Sequence, residues 1–278
     1  MPRLAVLTIN NAAHQKQHAQ WMRAGLERRG WRVEFVARGE AIPRAADLAG
    51  SWSVKQRKVW EWQKATGGPV LVMERAALEP RHEFTSCGFD GLAGRGRYAY
   101  RDDDGARWRR YFAHHEQPWR RVGSGDYALL CGQVAGDASL WGVNFRKWAQ
   151  DACNALCAKG IPVVYRAHPF SLKQGDMWFP QGATFSRRTY AEDLARADRV
   201  VTFNSTAGVE AVLAGVPAVS CDAGSMAREV TAHAVDAPGI CPDRTAWERR
   251  IAWSCFTPAE IESGEAWEAL EERAPCFA

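Results

Sequence analysis

Short apolar runs alternate with longer segments of helical periodicity over the first quarter of the chain. Apolar runs at residues 4–8, 32–36 and 70–73 predict buried strands. Apolar residues at helical spacing predict helices over residues 14–29 and 53–64, and glycines follow both segments as stop signals. This part of the chain is therefore expected to form a strand and helix alternation of the α/β type.

The alternation becomes more regular after residue 126. Apolar runs predict strands at residues 127–131, 162–166, 199–203 and 216–221, and helical spacing predicts helices at residues 144–159, 190–197 and 206–214. A helix separates each strand from the next, which is the connection that parallel strands require. This half of the chain should be a doubly wound parallel sheet with helices on both faces.

Two domains are expected from these patterns. Residues 98–112 alternate around Asp-Asp-Asp-Gly and predict a β-hairpin, and Gly-Ser-Gly-Asp at residues 123–126 is the candidate linker. We predict an α/β domain at residues 1–122 with the hairpin as an insertion, joined by a C-terminal helix at residues 257–278. Residues 123–256 would form the second, Rossmann-like domain.

Composition narrows the class of protein without naming a partner. The 278 residues are 46% hydrophobic and 24% charged, with a net charge of +4, which is typical of a soluble globular protein and too small an excess to coat nucleic acid. The eight cysteines form no Cys-x-x-Cys motif, so no zinc site is indicated. Because no apolar segment is long enough for a signal peptide or a membrane span, we expect a cytoplasmic protein, peripheral to the membrane at most.

Polar side chains follow the predicted strands of the second half at the point where each strand ends. Ligands of open parallel sheets bind at the carboxyl ends of the strands, so these residues are expected to share one binding edge. They are Gln133, Asp137 and Ser139 after the first strand, Arg166 and His168 at the end of the second, and Asn204, Ser205 and Thr206 after the third.

The third of these loops suggests a phosphate site. Ser205 and Thr206 stand where a strand turns into a helix, and the first backbone N–H groups of a helix attract anions. Arg166 and His168 on the neighbouring loop would supply further donors. The alternative interpretation is that Asn204 or Ser205 is only a helix N-cap and that His168 before proline only ends a strand.

Three segments together resemble successive motifs of the capsular-polysaccharide β-Kdo transferases and their relatives. These are GQVAGDASLWG at residues 132–142, YRAHP at residues 165–169, and NSTAGVEAVLAGVP at residues 204–217. The resemblance implies a GT-B glycosyltransferase: an α/β protein of two Rossmann-like halves with parallel sheets around a central cleft. It also implies a nucleotide-sugar donor, CMP-Kdo-like or a UDP-sugar, held mainly by the second half without metal or other cofactor, with the His-Pro and Ser-Thr motifs near its phosphate.

The catalytic base is less well defined by the sequence. Members of that family resemble Glu-Asp-Gly after a buried strand, whereas this chain keeps Glu74 and continues with Arg75. Glu74 would deprotonate the acceptor hydroxyl, or it would form an ordinary ion pair with an arginine. Asp90 is the reserve candidate, and its alternative role is a turn residue before glycine.

Residues 95–121 carry eight arginines and four acids among aromatic residues. Such a stretch suits phosphates and bases, or it is simply a charged hairpin. The acceptor is therefore expected to be a glycan, a glycolipid or DNA with a hydroxymethylated base. The alternative of another class is a non-catalytic nucleic-acid-binding protein. Metal sites at Asp102–Asp103–Asp104 and at the pair His14 and His18 are not favoured, because a hairpin turn explains the first and the second lacks a third ligand.

Overall fold

The computed structural model describes residues 2–101, 103–140 and 142–272. The chain divides into two compact units. Unit 1 comprises Met1–Tyr111 and Glu248–Ala278, and unit 2 comprises Phe112–Trp247. Both boundaries lie earlier in the chain than the predicted ones, which followed residues 122 and 256.

Hydrogen bonds explain both displaced boundaries. The segment before residue 123 belongs to unit 2 because the backbone N–H groups of Gln117 and Arg120 donate to the carbonyls of Leu213 and Gly215, each at 2.7 Å. The predicted linker is also part of unit 2, since a Cβ on Gly125 would lie only 2.1 Å from the Asp198 backbone nitrogen. The boundary between the two units therefore falls between Tyr111 and Phe112, and residues 123–126 are not a linker between them.

The helices and strands follow one another with few long connections. Residues 2–111 form β1 (Leu4–Ile9), α1 (Ala13–Arg28), β2 (Arg32–Ala37), β3 (Leu48–Trp52), α2 (Arg57–Thr66), β4 (Val70–Arg75), β5 (Thr85–Phe89), β6 (Arg97–Tyr98) and α3 (Ala106–Tyr111). Unit 2 contains β7 (Tyr127–Cys131), α4 (Phe145–Ala158), β8 (Val163–Arg166), α5 (Pro169–Lys173), β9 (Thr184–Phe185), α6 (Tyr190–Arg196), β10 (Ala197–Thr202), α7 (Ala207–Leu213) and β11 (Ala218–Ser220). The chain then forms α8 (Thr245–Ala252), β12 (Cys255–Phe256), α9 (Pro258–Ser263) and α10 (Glu265–Glu271).

The sheet of unit 2 is parallel throughout, which confirms the prediction for this half. Its strand order is β11-β10-β7-β8-β9, and all four neighbouring pairs are parallel. One buried cluster against it is built from β7, β8, α4 and apolar residues of β10 and β11. The carboxyl ends of these strands consequently lie along one edge.

The sheet of unit 1 has the expected parallel part, β1 to β4, and an antiparallel part that the sequence did not indicate. Its order is β12-β5-β4-β3-β1-β2, with β6 also paired to β5. The pairs among β1, β2, β3 and β4 are parallel, whereas β5 runs antiparallel to β4, β6 and β12. Residues 76–84, between β4 and β5, contain no helix, and a connection without a crossover helix favours reversal of the chain.

The predicted hairpin at residues 98–112 was also wrong. Only Tyr98, its first residue, belongs to a strand, β6, and the chain then continues to the helix α3. Asp103 explains this outcome, because its carboxylate accepts hydrogen bonds from the backbone N–H groups of Gly105 at 3.0 Å and Arg107 at 2.8 Å. The acid that was expected to occupy a hairpin turn therefore caps a helix; Asp102 lies outside the described residues.

The C-terminal segment packs on unit 1 as two helices rather than one. Gly264 adopts a left-handed conformation, with φ of 89°, and separates α9 from α10. Ile261, Trp267 and Leu270 are buried in the same cluster as α1. Helices α1 and α9 pack closely, since a Cβ on Gly25 of α1 would lie 2.0 Å from the Ile261 carbonyl oxygen of α9. None of the helices in the described ranges combines the length and the apolar character that crossing a membrane needs.

Candidate functional site

The carboxyl edge of the unit 2 sheet brings together the three loops that the sequence singled out. In the parallel register Cys131 pairs with Arg166, Leu130 with Val201, and Thr202 with Ser220. Strands β7, β8, β10 and β11 thus end at nearly the same level. The polar residues that follow them lie along one edge, as expected from the strand-end rule.

Gln133 and Asn204 bind each other across this edge. Gln133 Nε2 donates to Asn204 Oδ1 at 2.8 Å, and the backbone N–H of Asn204 donates to Gln133 Oε1 at 3.1 Å. Asn204 is buried, with 5% of its surface exposed. The amide pair therefore fastens the loop after β7 to the loop after β10.

Three more polar groups complete this network. Asn204 Nδ2 donates to the Ser139 carbonyl at 2.7 Å and to Asp222 Oδ2 at 2.9 Å. Asp137 Oδ1 in turn accepts from the backbone N–H and the hydroxyl of Ser139, both at 2.8 Å. Gln133, Asp137, Ser139 and Asn204 are thus brought together as predicted. Asp222 was missed, although the strand-end rule applied to β11, which ends at Ser220, would have found it.

Arg166 ends β8 as predicted, but its guanidinium bonds to other residues of unit 2. Its guanidinium donates to the Arg188 carbonyl at 2.5 Å and to Asp193 Oδ2 at 3.0 Å. Asp193 is fully buried and also accepts from the Ser186 hydroxyl at 2.6 Å. Since removal of either charge would leave its partner in a desolvated environment, Arg166 serves the interior of unit 2.

His168 caps the short helix α5. Its Nδ1 accepts a hydrogen bond from the backbone N–H of Phe170 at 3.1 Å, with Pro169 as the first helical residue. A ring nitrogen that accepts a hydrogen bond carries no proton, so the neutral imidazole has its hydrogen on Nε2. His168 is half-buried and lies two residues beyond the end of β8.

Ser205 and Thr206 occupy the turn between β10 and α7. The Ser205 hydroxyl accepts from the backbone N–H of Ala207 at 3.2 Å, and its carbonyl accepts from Gly208 at 3.0 Å. Thr206 is the residue before α7, and its side chain makes no capping hydrogen bond. Both side chains are half-buried. Ser205 therefore performs the local bonding that a cap would, whereas the Thr206 hydroxyl takes no part in it.

A small pocket that the sequence did not indicate opens beside Gln133. Tyr165 and Trp178 are among its lining residues, together with the ion pair of Arg146 and Asp176. Arg146 contacts both carboxylate oxygens of Asp176, at 2.9 and 3.0 Å, and its guanidinium lies 5.4 Å from the Trp178 ring centroid. The backbone hydrogen bond from Trp178, followed by the hydrogen bond from Arg146, lowers the pKa of the Asp176 carboxyl.

In unit 1, Glu74 and Asp90 lie at opposite ends of β4. Glu74 is its penultimate residue, half-buried, and one carboxylate oxygen accepts from the backbone N–H of Arg75 at 3.1 Å. Asp90 accepts from the backbone N–H of Val70 at 2.9 Å, where β4 begins. Glu74 is four residues from Val70, which corresponds to about 13 Å along the strand, so the two carboxylates cannot serve one proton transfer.

The carboxylate of Asp90 is engaged in hydrogen bonds and an ion pair within unit 1. Besides Val70 it accepts from Gln63 Nε2 at 2.5 Å and pairs with the Arg97 guanidinium. Its φ of 60° matches the turn that its alternative interpretation required. Of the two carboxylates, only Glu74 is at the carboxyl edge of the parallel strands.

The stretch of arginines and aromatic residues at residues 95–121 is partly buried. Arg107 is 7% exposed; it pairs with both oxygens of Glu260, at 2.5 and 3.0 Å, and donates to the carbonyls of Ala252 and Cys255. A buried and fully bonded arginine is not available to a nucleic-acid phosphate. Over the described residues, no group of three or more His, Cys, Asp or Glu side chains could hold a metal ion.

No protein-family model matches the chain, and no curated protein matches it in sequence. Among solved structures, it is similar to the β-Kdo 2,4 transferase of Thermosulfurimonas dismutans KpsC, with a TM-score of 0.58 and 14% identity over 93% of this chain and 94% of that one. It is also similar to the β-Kdo 2,7 transferase of the same KpsC, with a TM-score of 0.56 and 13% identity over 96% and 99% of the two chains.

The fold of this chain is therefore that of a GT-B glycosyltransferase, with two α/β units. Within that class it resembles the KpsC Kdo transferases in fold, as the motifs predicted. Both solved structures are described as Kdo transferases.

Proposed function

We propose that the protein is a glycosyltransferase that moves a sugar from a nucleotide-sugar donor to a hydroxyl of a glycan or glycolipid acceptor. The observation that carries the proposal is the likeness in fold to two Kdo transferases over at least 93% of this chain. The polar edge of unit 2 supports it, because the residues of three separate motifs meet there. A donor of the CMP-Kdo type, or a UDP-sugar, would expose a phosphate to that edge.

In this proposal the residues of the edge divide into two sets. The first set consists of residues that hydrogen-bond to one another and so fix the loops: Gln133, Ser139 and Asn204. His168, Ser205 and Thr206 supply the donors that meet the phosphate. Hydrogen-bond donors that are already oriented stabilise charge as it develops on a leaving group, and here that charge develops on the departing nucleotide phosphate.

Metal independence is part of the proposal. Charge on the leaving phosphate would be met by the Nε2–H of His168 and the hydroxyls of Ser205 and Thr206, without a bound cation or other cofactor. The acceptor would be bound by unit 1, where Glu74 is the better placed of the two carboxylates.

The test is thermal stabilisation by a panel of nucleotides and nucleotide-sugars, followed by transfer assays with each stabilising donor. We expect the donor to raise the Tm of the wild-type protein by several degrees. His168→Ala and Ser205→Ala should each reduce that rise and lower turnover, because each removes a donor to the phosphate.

Matched controls are available in unit 2. His233 is exposed, and among the described residues its ring hydrogen-bonds only to the Arg228 carbonyl, at 3.0 Å. Ser124 is also exposed, and its hydroxyl donates to the Arg121 carbonyl at 2.6 Å. His233→Ala and Ser124→Ala should leave the donor response unchanged. Unaltered donor binding and turnover in His168→Ala and Ser205→Ala would overturn the proposed site.

A further inference from the structure

The exposed large apolar residues are concentrated in one short segment of unit 2. Seven large apolar residues of the described chain are exposed, and four of them lie within residues 170–179, which begin in α5 and end before β9. We call these four the apolar patch: Phe170, Leu172, Met177 and Phe179. Phe170 and Met177 are the most exposed, at 50% and 53%. Scattered apolar residues are normal on a protein surface, whereas a cluster of them marks an interaction surface.

Hydrogen bonds fix the second part of this segment. The backbone N–H of Asp176 donates to the Ser171 carbonyl at 3.0 Å, and the Asp176 carboxylate accepts from the backbone N–H of Trp178 at 3.2 Å. Trp178 is half-buried, and its ring packs edge-on against Tyr165 with a centroid distance of 5.9 Å. The residues on either side of Trp178 are both exposed. The inward anchoring of Trp178 thus leaves these two apolar side chains on the solvent side.

The apolar patch lies beside the polar edge of unit 2 and reaches the last strand of its sheet. Phe170 follows His168 by two residues, and its backbone N–H donates to His168 Nδ1. At the other end, the Phe179 ring packs against Phe185 of β9 with a centroid distance of 5.5 Å. Strand β9 is the outermost strand of the sheet on this side. The patch is therefore attached to the fixed sheet at both of its ends.

The charged residues of the same part of the chain are mainly cationic. Residues 168–190 contain three Lys or Arg residues and one acid. That acid, Asp176, is already bound through both carboxylate oxygens by Arg146. Lys173 and Arg187 are exposed. The apolar residues are therefore accompanied by positive charge, which is complementary to an anionic surface.

We propose that the apolar patch binds the surface of an anionic lipid bilayer. Its aromatic and aliphatic side chains would enter the boundary between headgroups and acyl chains, and Lys173 and Arg187 would bind lipid phosphates. A protein partner would need a surface shaped to fit these projecting side chains, whereas lipids rearrange around them. The binding itself goes beyond the proposed function, because it requires neither a donor nor turnover.

Membrane binding by the patch has a consequence for the polar edge of unit 2. Because Phe170 and His168 lie in the same helical turn, binding through Phe170 holds His168 near the lipid headgroups. A nucleotide-sugar at that edge would then be presented to an acceptor embedded in the same membrane. This consequence, unlike the binding, rests on the proposed function and favours a glycolipid over a free glycan as the acceptor.

The test is cosedimentation of the full chain with vesicles of phosphatidylcholine alone or mixed with phosphatidylglycerol. We expect the wild-type protein to bind the mixed vesicles and raised salt to weaken that binding. The double variant Phe170→Ser with Phe179→Ser should bind them at least about tenfold more weakly, because two apolar side chains no longer enter the bilayer. Ile240→Ser, which alters an exposed apolar residue elsewhere in unit 2, is the matched control and should bind like wild type.

The contribution of charge is tested separately. Lys173→Gln and Arg187→Gln should each weaken binding to the mixed vesicles about fivefold, the scale expected for one cation near an anionic surface. Lys159→Gln is the control for net charge, since Lys159 is exposed, lies at the far end of α4 and pairs with Asp236 at 2.9 Å. It should leave binding unchanged.

Thermal unfolding should give the same Tm for every variant, because all of the altered side chains are exposed. Should the double variant unfold early, Met177→Ser alone must weaken vesicle binding. Wild-type protein that stays in the supernatant with mixed vesicles at low salt would overturn the inference. A patch variant that binds like wild type, or that changes only the oligomeric state measured by light scattering, would do the same. Vesicle binding by a protein that consumes no donor of the panel would support this inference and overturn the proposed function alone.

Discussion

The two units carry polar groups at the same edge of similar sheets, but they use them differently. In unit 2 the buried amides of Gln133 and Asn204 bond to each other and to neighbouring loops, so the edge is fixed before any ligand arrives. In unit 1 the edge carries the rings of His14 and His18, which pack against the indole of Trp52, the last residue of β3. Hydrogen bonds between loops thus fix the edge of unit 2, whereas ring packing fixes the edge of unit 1.

The units also differ in how their chain is assembled. Unit 2 is one continuous segment around a parallel sheet, whereas unit 1 combines two distant segments around a mixed sheet. Arg107 joins those segments, because it lies on α3 and bonds to Glu260 of α9 and to the carbonyls of Ala252 and Cys255. Burial by itself would raise the pKa of the Glu260 carboxyl, but the hydrogen bond and charge of Arg107 lower it overall.

Removal of this ion pair should have the largest effect. Arg107→Ala leaves the Glu260 carboxylate buried and unpaired, which costs about 3–5 kcal/mol. Hydrogen exchange of β5 and β12 should therefore accelerate strongly while that of unit 2 changes little. Arg109→Ala is the control, since Arg109 is exposed and bonds only to the nearby Asp104 carbonyl among the described residues. Equal exchange in the two variants would show that Arg107 does not join the segments.

Loss of the amide pair should affect unit 2 by a smaller amount. Asn204→Ala removes the hydrogen bonds of this buried side chain with Gln133, the Ser139 carbonyl and Asp222, which costs about 1–3 kcal/mol. Urea unfolding should show this loss, and donor stabilisation should fall because the loops are no longer fixed. Asn154→Ala, which removes an exposed hydrogen bond with Gln150, should cost about 0.5 kcal/mol or less. Similar unfolding midpoints for both variants would contradict the role of the pair.

Acidification should weaken unit 1 through His18, and this effect is the smallest. Burial, chiefly, lowers the pKa of His18 from 6.5 to about 4, so between these values the unfolded chain binds a proton that the folded unit does not. The free energy of unfolding then falls as pH decreases through that window, by at most about 1.4 kcal/mol per pH unit. Urea unfolding at about pH 7 and about pH 5 measures this decrease in the free energy of unfolding. His18→Gln should reduce the decrease, and an identical pH dependence in the variant would refute the assignment.

The sequence predicted most of the elements that have an apolar run or a helical period, and it missed β3 for a physical reason. The strand contains Ala49, Gly50 and Ser51, which have low strand propensity and no alternation. It is nevertheless completely buried, and a Cβ on Gly50 would lie 2.4 Å from the Leu7 side chain. Gly50 therefore leaves room for the Leu7 side chain of β1, which only the tertiary structure reveals.

The site was predictable only as far as local rules reach. The position after a parallel strand correctly located Gln133 and Asn204, because that rule depends on topology alone. It could not show that Arg166 is bonded to Asp193 and Asp90 to Gln63, since both partners lie more than 25 residues away along the chain. The contacts of His14 and His18 with Trp52 could not be predicted for the same reason.

The split origin of unit 1 sets an order of events during synthesis. Residues 112–247 are translated between its two segments, which at about 5–20 residues per second takes roughly 7–30 seconds. Strand β12 and helices α9 and α10 are synthesised last. Until then the edge of β5 that pairs with β12 and the surface of α1 that packs on α9 and α10 stay uncovered. The half of the molecule that begins first is completed second, and chaperones have that interval in which to bind it.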